Sequence, residues 1–151
     1  MILADEAATL ALGARLAGVL RAGDVVALSG PLGSGKTTLA RGCLAGLGYR
    51  GDVASPTFTV VQSYDATATR VPVLHVDLYR LESAADAVEL GLDDALDDHA
   101  LLVEWPERLG DALWPQALQL ALQPAEDDAR RLTADAPEAW TGRWPPPLLP
   151  S

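Results

Sequence analysis

The sequence predicts an α/β fold of three layers, in which helices cover a mixed, mostly parallel central sheet that contains an inserted antiparallel hairpin. Three observations support this fold class. Apolar runs bounded by glycines alternate with helical apolar patterns in the first half of the chain. Two strand-like segments then follow one another with only a polar connection between them, which predicts the hairpin. The 151 residues, of which 49% are hydrophobic and 21% charged, suffice for one globular core.

The first half of the chain predicts helix, strand and helix in that order. Leucine and valine recur at helical spacing over residues 5–21, and an acidic pair opens this segment, as is typical of a helix start. Residues 24–28 form a short apolar run, the pattern of a strand that is covered on both faces of a parallel sheet. A second helical pattern begins at Lys36 and ends near Gly46 or Gly48.

The middle of the chain predicts the hairpin and a further helix. Residues 58–64 and 71–78 have the composition of strands, and the polar residues 65–70 connect them. Ser83 and Asp86 have the spacing of a helix-capping pair, so a short helix is expected after them.

The last third of the chain predicts three more strands. Residues 100–103 are continuously apolar and predict a buried strand, which Pro106 ends. Leucines alternate with other residues over 118–122, and a polar turn leads from there to a partner strand over 130–134. These last two segments predict a closing hairpin.

We expect a single domain over residues 1–142 and a Pro-rich tail over residues 143–151 that is extended and loosely attached.

The net charge of −10 leaves no broad cationic surface, so tight, direct nucleic-acid binding is not expected. No segment approaches the roughly 18 consecutive apolar residues of a membrane span, so we expect no membrane partner and a cytoplasmic location. The only cysteine, Cys43, lies in a helical apolar pattern and is interpreted as a core residue.

Residues 30–37 read Gly-Pro-Leu-Gly-Ser-Gly-Lys-Thr and match the phosphate-loop pattern G-x-x-x-x-G-K-[ST] in full. The match lies between a predicted strand and a predicted helix, which is the context of a P-loop NTPase-like fold. An accidental match in an ordinary glycine-rich turn is the alternative, and chance produces one well under about one time in a hundred. Gly30, Gly33 and Gly35 permit positive φ and bring backbone N–H groups close to phosphate oxygens.

The side chains of this loop predict the remaining contacts. Lys36 is the only lysine in the chain, and its compact ammonium is expected to contact the β- and γ-phosphates. Thr37 presents a hydroxyl to Mg²⁺, and Ser34 or Thr38 can add hydrogen bonds to the phosphates. GTPases that read guanine with an Asn/Thr-Lys-x-Asp motif are excluded, because they need a second lysine.

Two strand-end carboxylates are candidates for holding Mg²⁺ directly or through water. Glu104 ends a wholly apolar run at the edge where α/β sheets place ligands, and nothing in that run could neutralise it without a cation. We favour Glu104 for the metal and Asp77 for a water-positioning or switch role. Asp77 could instead pair with Arg80 or His75, and His75 is interpreted as a hydrogen-bonded strand residue. Trp105 is either part of the core or a lid over the site.

Residues 55–58, Ser-Pro-Thr-Phe, precede the first strand of the hairpin. The pattern predicts a turn that enters a strand. A threonine hydroxyl in this position could alternatively act as a nucleotide-sensing switch.

The chain resembles the bacterial TsaE family over about residues 5–107. Five segments carry the resemblance in the order and spacing of that family: residues 30–37, 55–58, 75–81, 89–91 and 103–106. Many families share the loop, whereas His-x-Asp-x-Tyr-Arg combined with Glu-Trp-Pro is specific. The family consists of small P-loop ATPases that assist synthesis of N6-threonylcarbamoyladenosine in tRNAs reading codons that begin with A.

The resemblance implies ATP and Mg²⁺ as ligands and Mg²⁺-dependent ATP hydrolysis, with Lys36, Asp77 and Glu104 as catalytic residues and Thr37 and Glu104 on the metal. The threonylcarbamoyl transfer would belong to partner transferase subunits, which would hold the tRNA, so this chain would meet tRNA only indirectly. The other implied positions are phosphate contacts at Gly33, Ser34, Gly35, Lys36, Thr37 and Thr38, adenine contacts at Glu6 and Thr9, and switch residues at Ser55, Thr57, Asp77, Glu89 and Trp105. Nothing is carried over from about residue 116 onward.

Two other functions remain open on the sequence. A small-molecule P-loop kinase has the same loop, but it would need arginines in a lid over the γ-phosphate, and no arginine cluster lies between Arg80 and Arg108. A nonhydrolysing, ATP-dependent interaction module would use the same residues as a weak ATPase.

Overall fold

A computed structural model describes residues 1–31, 33–51, 53, 61–79 and 84–147 of the chain. The strands are β1 (Ile2–Leu3), β2 (Val25–Ser29), β3 (Val61–Tyr64), β4 (Val73–Asp77), β5 (Ala100–Glu104), β6 (Leu118–Pro124) and β7 (Arg130–Asp135). The helices are α1 (Glu6–Ala17), α2 (Lys36–Gly46), α3 (Ala84–Val88) and α4 (Leu92–Ala95), with short 3-10 segments at Pro106–Ala112 and Glu138–Trp140.

The strands of the described residues form one sheet in the order β1-β7-β6-β2-β5-β4-β3. Pairing is parallel in the centre of the sheet. Strand β2 lies between β5 and β6, and β5 pairs with β4 on its other side. Pairing is antiparallel towards both edges, in the pairs β3–β4, β6–β7 and β1–β7. The predicted fold class is therefore confirmed, including both hairpins. The edge strand β1 was not predicted from the sequence.

Two apolar clusters, one on each face of the sheet, hold the three layers together. On one face α1 and α2 cover strand residues that include Val26 and Leu102. On the opposite face Val25 packs in a cluster with Leu92 of α4 and Leu109 of the first 3-10 segment. Because neighbouring residues of β2 belong to different clusters, this strand is buried on both faces, as its apolar run predicts.

Helix α1 is shorter than predicted, because it ends at Ala17 rather than near residue 21. The N–H groups of Gly18 and Val19 bond to carbonyls three residues earlier, which tightens the chain into a turn and ends the helix. At the other end, the Asp5 carboxylate accepts a hydrogen bond of 2.8 Å from the N–H of Ala8 and caps the first turn.

The hairpin and the short helix after it agree with the prediction where they are described. Strand β3 matches the end of the predicted segment 58–64, of which residues 58–60 lie outside the described residues. Strand β4 lies within the predicted segment 71–78. Helix α3 follows the proposed capping position, and Ser83 itself lies outside the described residues.

Helices α1 and α2 approach each other through glycines. A Cβ atom on Gly13 would lie 2.4 Å from the carbonyl oxygen of Leu39, and one on Gly42 would lie 2.3 Å from that of Leu10. Both helices are therefore too close for any side chain at these two positions. This spacing matters for the site, because α1 and α2 each begin at its edge.

We expect Gly42→Ala to lower the free energy of unfolding by about 1–3 kcal/mol, since the added methyl must push two backbones apart. Urea denaturation followed by circular dichroism measures this change. Gly18→Ala is the matched control, because Gly18 has an ordinary helical φ of −65° and its Cβ would lie 3.3 Å from its nearest neighbour. The control should change stability by less than about 1 kcal/mol. Equal effects of both substitutions would contradict the close helix contact.

The segment after Trp140 corrects the expectation of a loosely attached tail as far as Pro147. The Trp140 ring is 1% exposed, and Arg143 forms an ion pair of 2.7 Å with Asp24 and stacks on Trp140 at 4.2 Å. Arg15 of α1 donates hydrogen bonds to the carbonyls of residues 146 and 147, the first at 2.6 Å. A proline-rich composition prevents regular structure, but it does not prevent docking through cationic side chains. Residues 148–151 lie outside the description.

Two further predictions concern single features of the fold. Cys43 of α2 is buried in the first apolar cluster, so it is a core residue as interpreted, and burial raises the pKa of its thiol to about 12. Within the described parts of the chain, none of the helices has the length and apolar character that crossing a lipid bilayer requires.

Candidate functional site

The glycine-rich loop joins the end of β2 to the start of α2 with the backbone geometry that its sequence predicts. Gly30, Gly33 and Gly35 have φ values of 140°, 75° and 104°, which residues with a side chain rarely adopt. A Cβ on Gly30 would lie 2.2 Å from the carbonyl oxygen of Leu122 on β6, so glycine is also required there by close approach. Helix α2 begins directly at Lys36, and its N-terminal end therefore faces the loop.

Two polar side chains of the loop are buried. The hydroxyl of Ser34, a residue only 1% exposed, has no hydrogen-bond partner in the described structure. The Lys36 ammonium donates hydrogen bonds to the carbonyls of Gly30 and Pro31, the latter at 3.2 Å. Burial lowers the pKa of Lys36 below its ordinary value, and nearby carboxylates, foremost Glu104, oppose that shift. The loop thus holds a donor and a cation that lack an anionic partner of their own.

Both candidate carboxylates lie at strand ends, as predicted, and the structure places these two parallel strands side by side. Asp77 and Glu104 are paired in the register of β4 and β5. Thr37 Oγ1, on the first turn of α2, lies 3.5 Å from Glu104 Oε1. The described residues contain no group of three His, Cys, Asp or Glu side chains able to hold a metal ion. One carboxylate and one hydroxyl are nevertheless a ligand set that suits Mg²⁺, which takes its other oxygens from substrate phosphates and water.

The Asp77 carboxyl is buried, and its hydrogen-bond partner differs from those of Glu104. Its Oδ1 accepts a hydrogen bond of 2.9 Å from the backbone N–H of Tyr79. Burial raises the pKa of Asp77 above its ordinary value, the Tyr79 N–H opposes this shift, and the charge of Glu104 adds to it. The suggested pairing of Asp77 with His75 is not observed as a hydrogen bond, and Arg80 lies outside the described residues.

His75 gives Glu104 a hydrogen-bond partner that the strand before Glu104 lacks. Its Nε2 lies 2.6 Å from Glu104 Oε2, and the two side chains are 0% and 3% exposed. The strand before Glu104 contains no neutralising group, as the sequence indicates, but the neighbouring strand supplies a hydrogen-bonding one. His75 is therefore a hydrogen-bonded strand residue, as interpreted from the sequence.

Trp105 packs against the core and also lines the candidate site, while its role as a lid stays a prediction. Its φ of 61° turns the chain directly after Glu104, before Pro106, and its indole packs against the second apolar cluster. The same ring lies 4.1 Å from Lys36 Nζ and 4.8 Å from the ring of Tyr79. Trp105 thus links the core to the cation of the loop.

A cavity of about 900 Å³ opens between the loop, the two strand ends and the start of α1. It is lined by the predicted residues Glu6, Thr9, Gly33, Ser34, Gly35, Lys36, Thr37, Thr38, Asp77, Glu104 and Trp105. Ser55 and Thr57 lie outside the described residues. Glu89 follows α3, is exposed and does not line this cavity.

Three lining residues were missed by the sequence analysis: Tyr79, Asp128 and Arg130. Arg130 Nη2 donates to the carbonyl of Gly33 at 3.2 Å, and its side chain lies near Gly35. The signal that could have found it is the closing hairpin, which reaches the loop because β6 pairs with β2. The sequence indicates this hairpin but does not state which strand it joins.

The comparisons with known proteins agree on one family. A sequence model described as "Threonylcarbamoyl adenosine biosynthesis protein TsaE" matches residues 3–132, well beyond the resemblance that ended near residue 107. The tRNA threonylcarbamoyladenosine biosynthesis protein TsaE of Streptomyces coelicolor is 48% identical over 118 residues, which cover 78% of this chain and 80% of that protein. The protein of the same name from Bacillus subtilis is 37% identical over 129 residues, covering 85% and 79%.

A solved structure supports the same relationship. The crystal structure of Bacillus subtilis YdiB is similar to this chain with a TM-score of 0.76 and 31% sequence identity, and the alignment covers 90% of this chain and 83% of that one. The matched region of the family model includes the loop, both strand-end carboxylates and Arg130.

Proposed function

Because this chain belongs to the TsaE family, whose members are involved in tRNA threonylcarbamoyladenosine biosynthesis, we propose that it binds and hydrolyses ATP in support of that modification. In this proposal the chain is an accessory protein. It acts on the transferase subunits of the modification complex, and it does not carry out the threonylcarbamoyl transfer itself.

The main observation that supports the proposal is that the side chains of Thr37 and Glu104 lie close together beside the glycine loop. The unpartnered Ser34 hydroxyl and the backbone N–H groups around it fit the oxygens of a phosphate chain. Lys36, now bonded to two loop carbonyls, would exchange them for the β- and γ-phosphates. Thr37 and Glu104, whose oxygens are 3.5 Å apart, would hold Mg²⁺.

Each side chain then has a separate task. Bound Mg²⁺ would supply positive charge where the phosphate oxygens gain negative charge. Asp77 lies one strand away from Glu104, and its raised pKa makes it a stronger proton acceptor than an ordinary aspartate, so we assign it the orientation of the attacking water. Glu6 and Thr9 of α1 also line the cavity and would contact the adenosine.

The charge of the chain supports an indirect relation to tRNA. A net charge of −10 repels the phosphate backbone, so we assign tRNA contact to the partner subunits. A cytoplasmic location of the complex stays an expectation. The exposed acidic residues Asp93, Asp94, Asp97 and Asp98 reinforce that repulsion on one side of the molecule.

The test is ATP turnover by the purified chain, alone and with the transferase subunits and tRNA. We expect turnover to rise by at least about tenfold with the partners, which corresponds to about 1.4 kcal/mol of barrier. Omitting the chain while keeping all partners is the control for ATPase activity that they contribute. Turnover that stays unchanged in the complete mixture, measured as released phosphate, would contradict a partner-stimulated ATPase. Phosphoryl transfer to an added small alcohol or nucleoside would indicate a kinase instead.

A further inference from the structure

A buried histidine beside the proposed metal site has no task in the function described so far. His75 lies in the middle of β4, where its backbone is paired with Gln62 of β3 and Leu102 of β5. Strands on both sides therefore fix the position of its ring. The ring is 0% exposed and points to the same face of the sheet as Asp77 and Glu104.

The hydrogen bond between His75 and Glu104 has a defined direction. Carboxylate oxygens accept hydrogen bonds and do not donate them, so the hydrogen of the 2.6 Å contact lies on Nε2 of His75. The second ring nitrogen, Nδ1, is buried without a hydrogen-bond partner in the described structure. Among the described residues Glu104 is thus the only hydrogen-bond partner of this ring, and the ring position serves Glu104.

The two oxygens of Glu104 are divided between two partners. Oε2 accepts from His75, and Oε1 lies 3.5 Å from Thr37 Oγ1. We propose that His75 is a positioning residue that holds Oε2 so that Oε1 remains directed at Thr37 as the metal-binding oxygen. This inference rests on the proposed function, because it assigns His75 to the Mg²⁺ site. A carboxylate without this bond could rotate, and rotation would move Oε1 away from Thr37.

The other histidine of the chain provides a comparison. His99 Nδ1 also lies 2.5 Å from a carboxylate, that of Asp98, but the Asp98 side chain is 75% exposed and neither residue lines the cavity. A histidine–carboxylate contact is therefore not by itself a sign of function in this chain. What distinguishes His75 is burial of both partners and the proximity of Thr37 to the free oxygen.

The test measures binding of Mn²⁺, as a paramagnetic substitute for Mg²⁺, to the complete chain with bound ADP. Electron paramagnetic resonance reports the free Mn²⁺, and calorimetry in EDTA reports ADP affinity without metal. We expect His75→Phe, which keeps a ring and loses the donor, to raise the Mn²⁺ dissociation constant by about 10- to 100-fold. ADP affinity in EDTA should change by less than about twofold, because positioning Glu104 does not touch the phosphates.

Two variants separate positioning from packing. His75→Gln carries an amide N–H that can reach Glu104, and we expect it to keep Mn²⁺ affinity within about threefold of the unsubstituted chain. His99→Gln is the matched control and should change neither affinity. If His75→Phe does not fold, His75→Asn replaces it, since its shorter amide does not reach Glu104, and the same loss of Mn²⁺ affinity is expected.

Each outcome decides the proposal. A folded His75→Phe or His75→Asn with unchanged Mn²⁺ affinity would overturn it, as would a His75→Gln variant that is equally impaired. An equal loss of ADP affinity in EDTA would overturn it too, because that result indicates general damage to the site. If the unsubstituted chain bound neither ADP nor Mn²⁺, the proposed function would fail as well, which distinguishes the two failures.

Discussion

Replacing Lys36 with alanine is expected to weaken ATP binding by at least about a hundredfold. Lys36 is 5% exposed, and its ammonium lies near two loop carbonyls and the Trp105 ring, where it is placed to bind phosphate oxygens. Each charge-assisted hydrogen bond contributes about 1.5–3 kcal/mol. Loss of two such bonds amounts to about 3 kcal/mol or more, which corresponds to that change in dissociation constant. Isothermal titration calorimetry with ATP and Mg²⁺ measures it.

The fold should survive this substitution. Because burial lowers the pKa of Lys36, the charged form is disfavoured in the folded chain, and removing the charge does not cost stability on that account. A thermal melt checks this point. Arg21→Ala is the control of equal charge, since Arg21 is exposed after α1 and does not line the cavity. A folded Lys36→Ala protein that binds ATP as tightly as the Arg21→Ala protein would refute the phosphate-loop assignment.

Replacing Glu104 with glutamine is expected to shift the Mg²⁺ dependence of ATP binding and turnover to much higher Mg²⁺ concentrations. The amide keeps the size of the side chain and an oxygen that can accept from His75, but it removes the negative charge beside Thr37. Loss of a charged ligand should weaken Mg²⁺ affinity by about 100-fold or more, since even outer-shell substitutions cost 10- to 100-fold. Titration of Mg²⁺ at fixed ATP concentration, with released phosphate as the readout, measures this loss.

The control for Glu104→Gln lies three residues further along the chain. Glu107 is exposed, and its charge acts on Lys36 only at a distance, so Glu107→Gln should leave the Mg²⁺ titration unchanged. Should a well-folded Glu104→Gln protein respond to Mg²⁺ as the Glu107→Gln protein does, Asp77 would become the better candidate for the metal ligand.

The glycine loop and the main helices and strands could be predicted from local sequence patterns. The positive φ values at Gly30, Gly33 and Gly35 follow from a motif whose residues are adjacent in sequence. The position of Asp77 and Glu104 at one edge of the sheet follows from a general rule, since parallel strands end at the same edge. Both inferences need only the residues of short segments and the direction in which each strand runs.

Features that depend on strand order could not be predicted in the same way. Period-two alternation places His75 and Asp77 on one face, but only the pairing of β4 with β5 decides that His75 contacts Glu104. Arg130 enters the cavity because the closing hairpin pairs with β2, and its own sequence contains no sign of that neighbour. The docked segment after Trp140 likewise depends on an ion pair between residues 24 and 143.

The sheet order has a consequence for the way the protein is made. Strand β2 leaves the ribosome before either of the strands that flank it, and Arg130, which bonds to the glycine loop, follows later still. A nascent chain therefore carries the glycine loop before it carries Asp77, Glu104 and Arg130, which line the same cavity. The cavity is complete only once the closing hairpin has emerged, so we expect the proposed ATP binding to arise after synthesis of this hairpin rather than with the glycine loop itself.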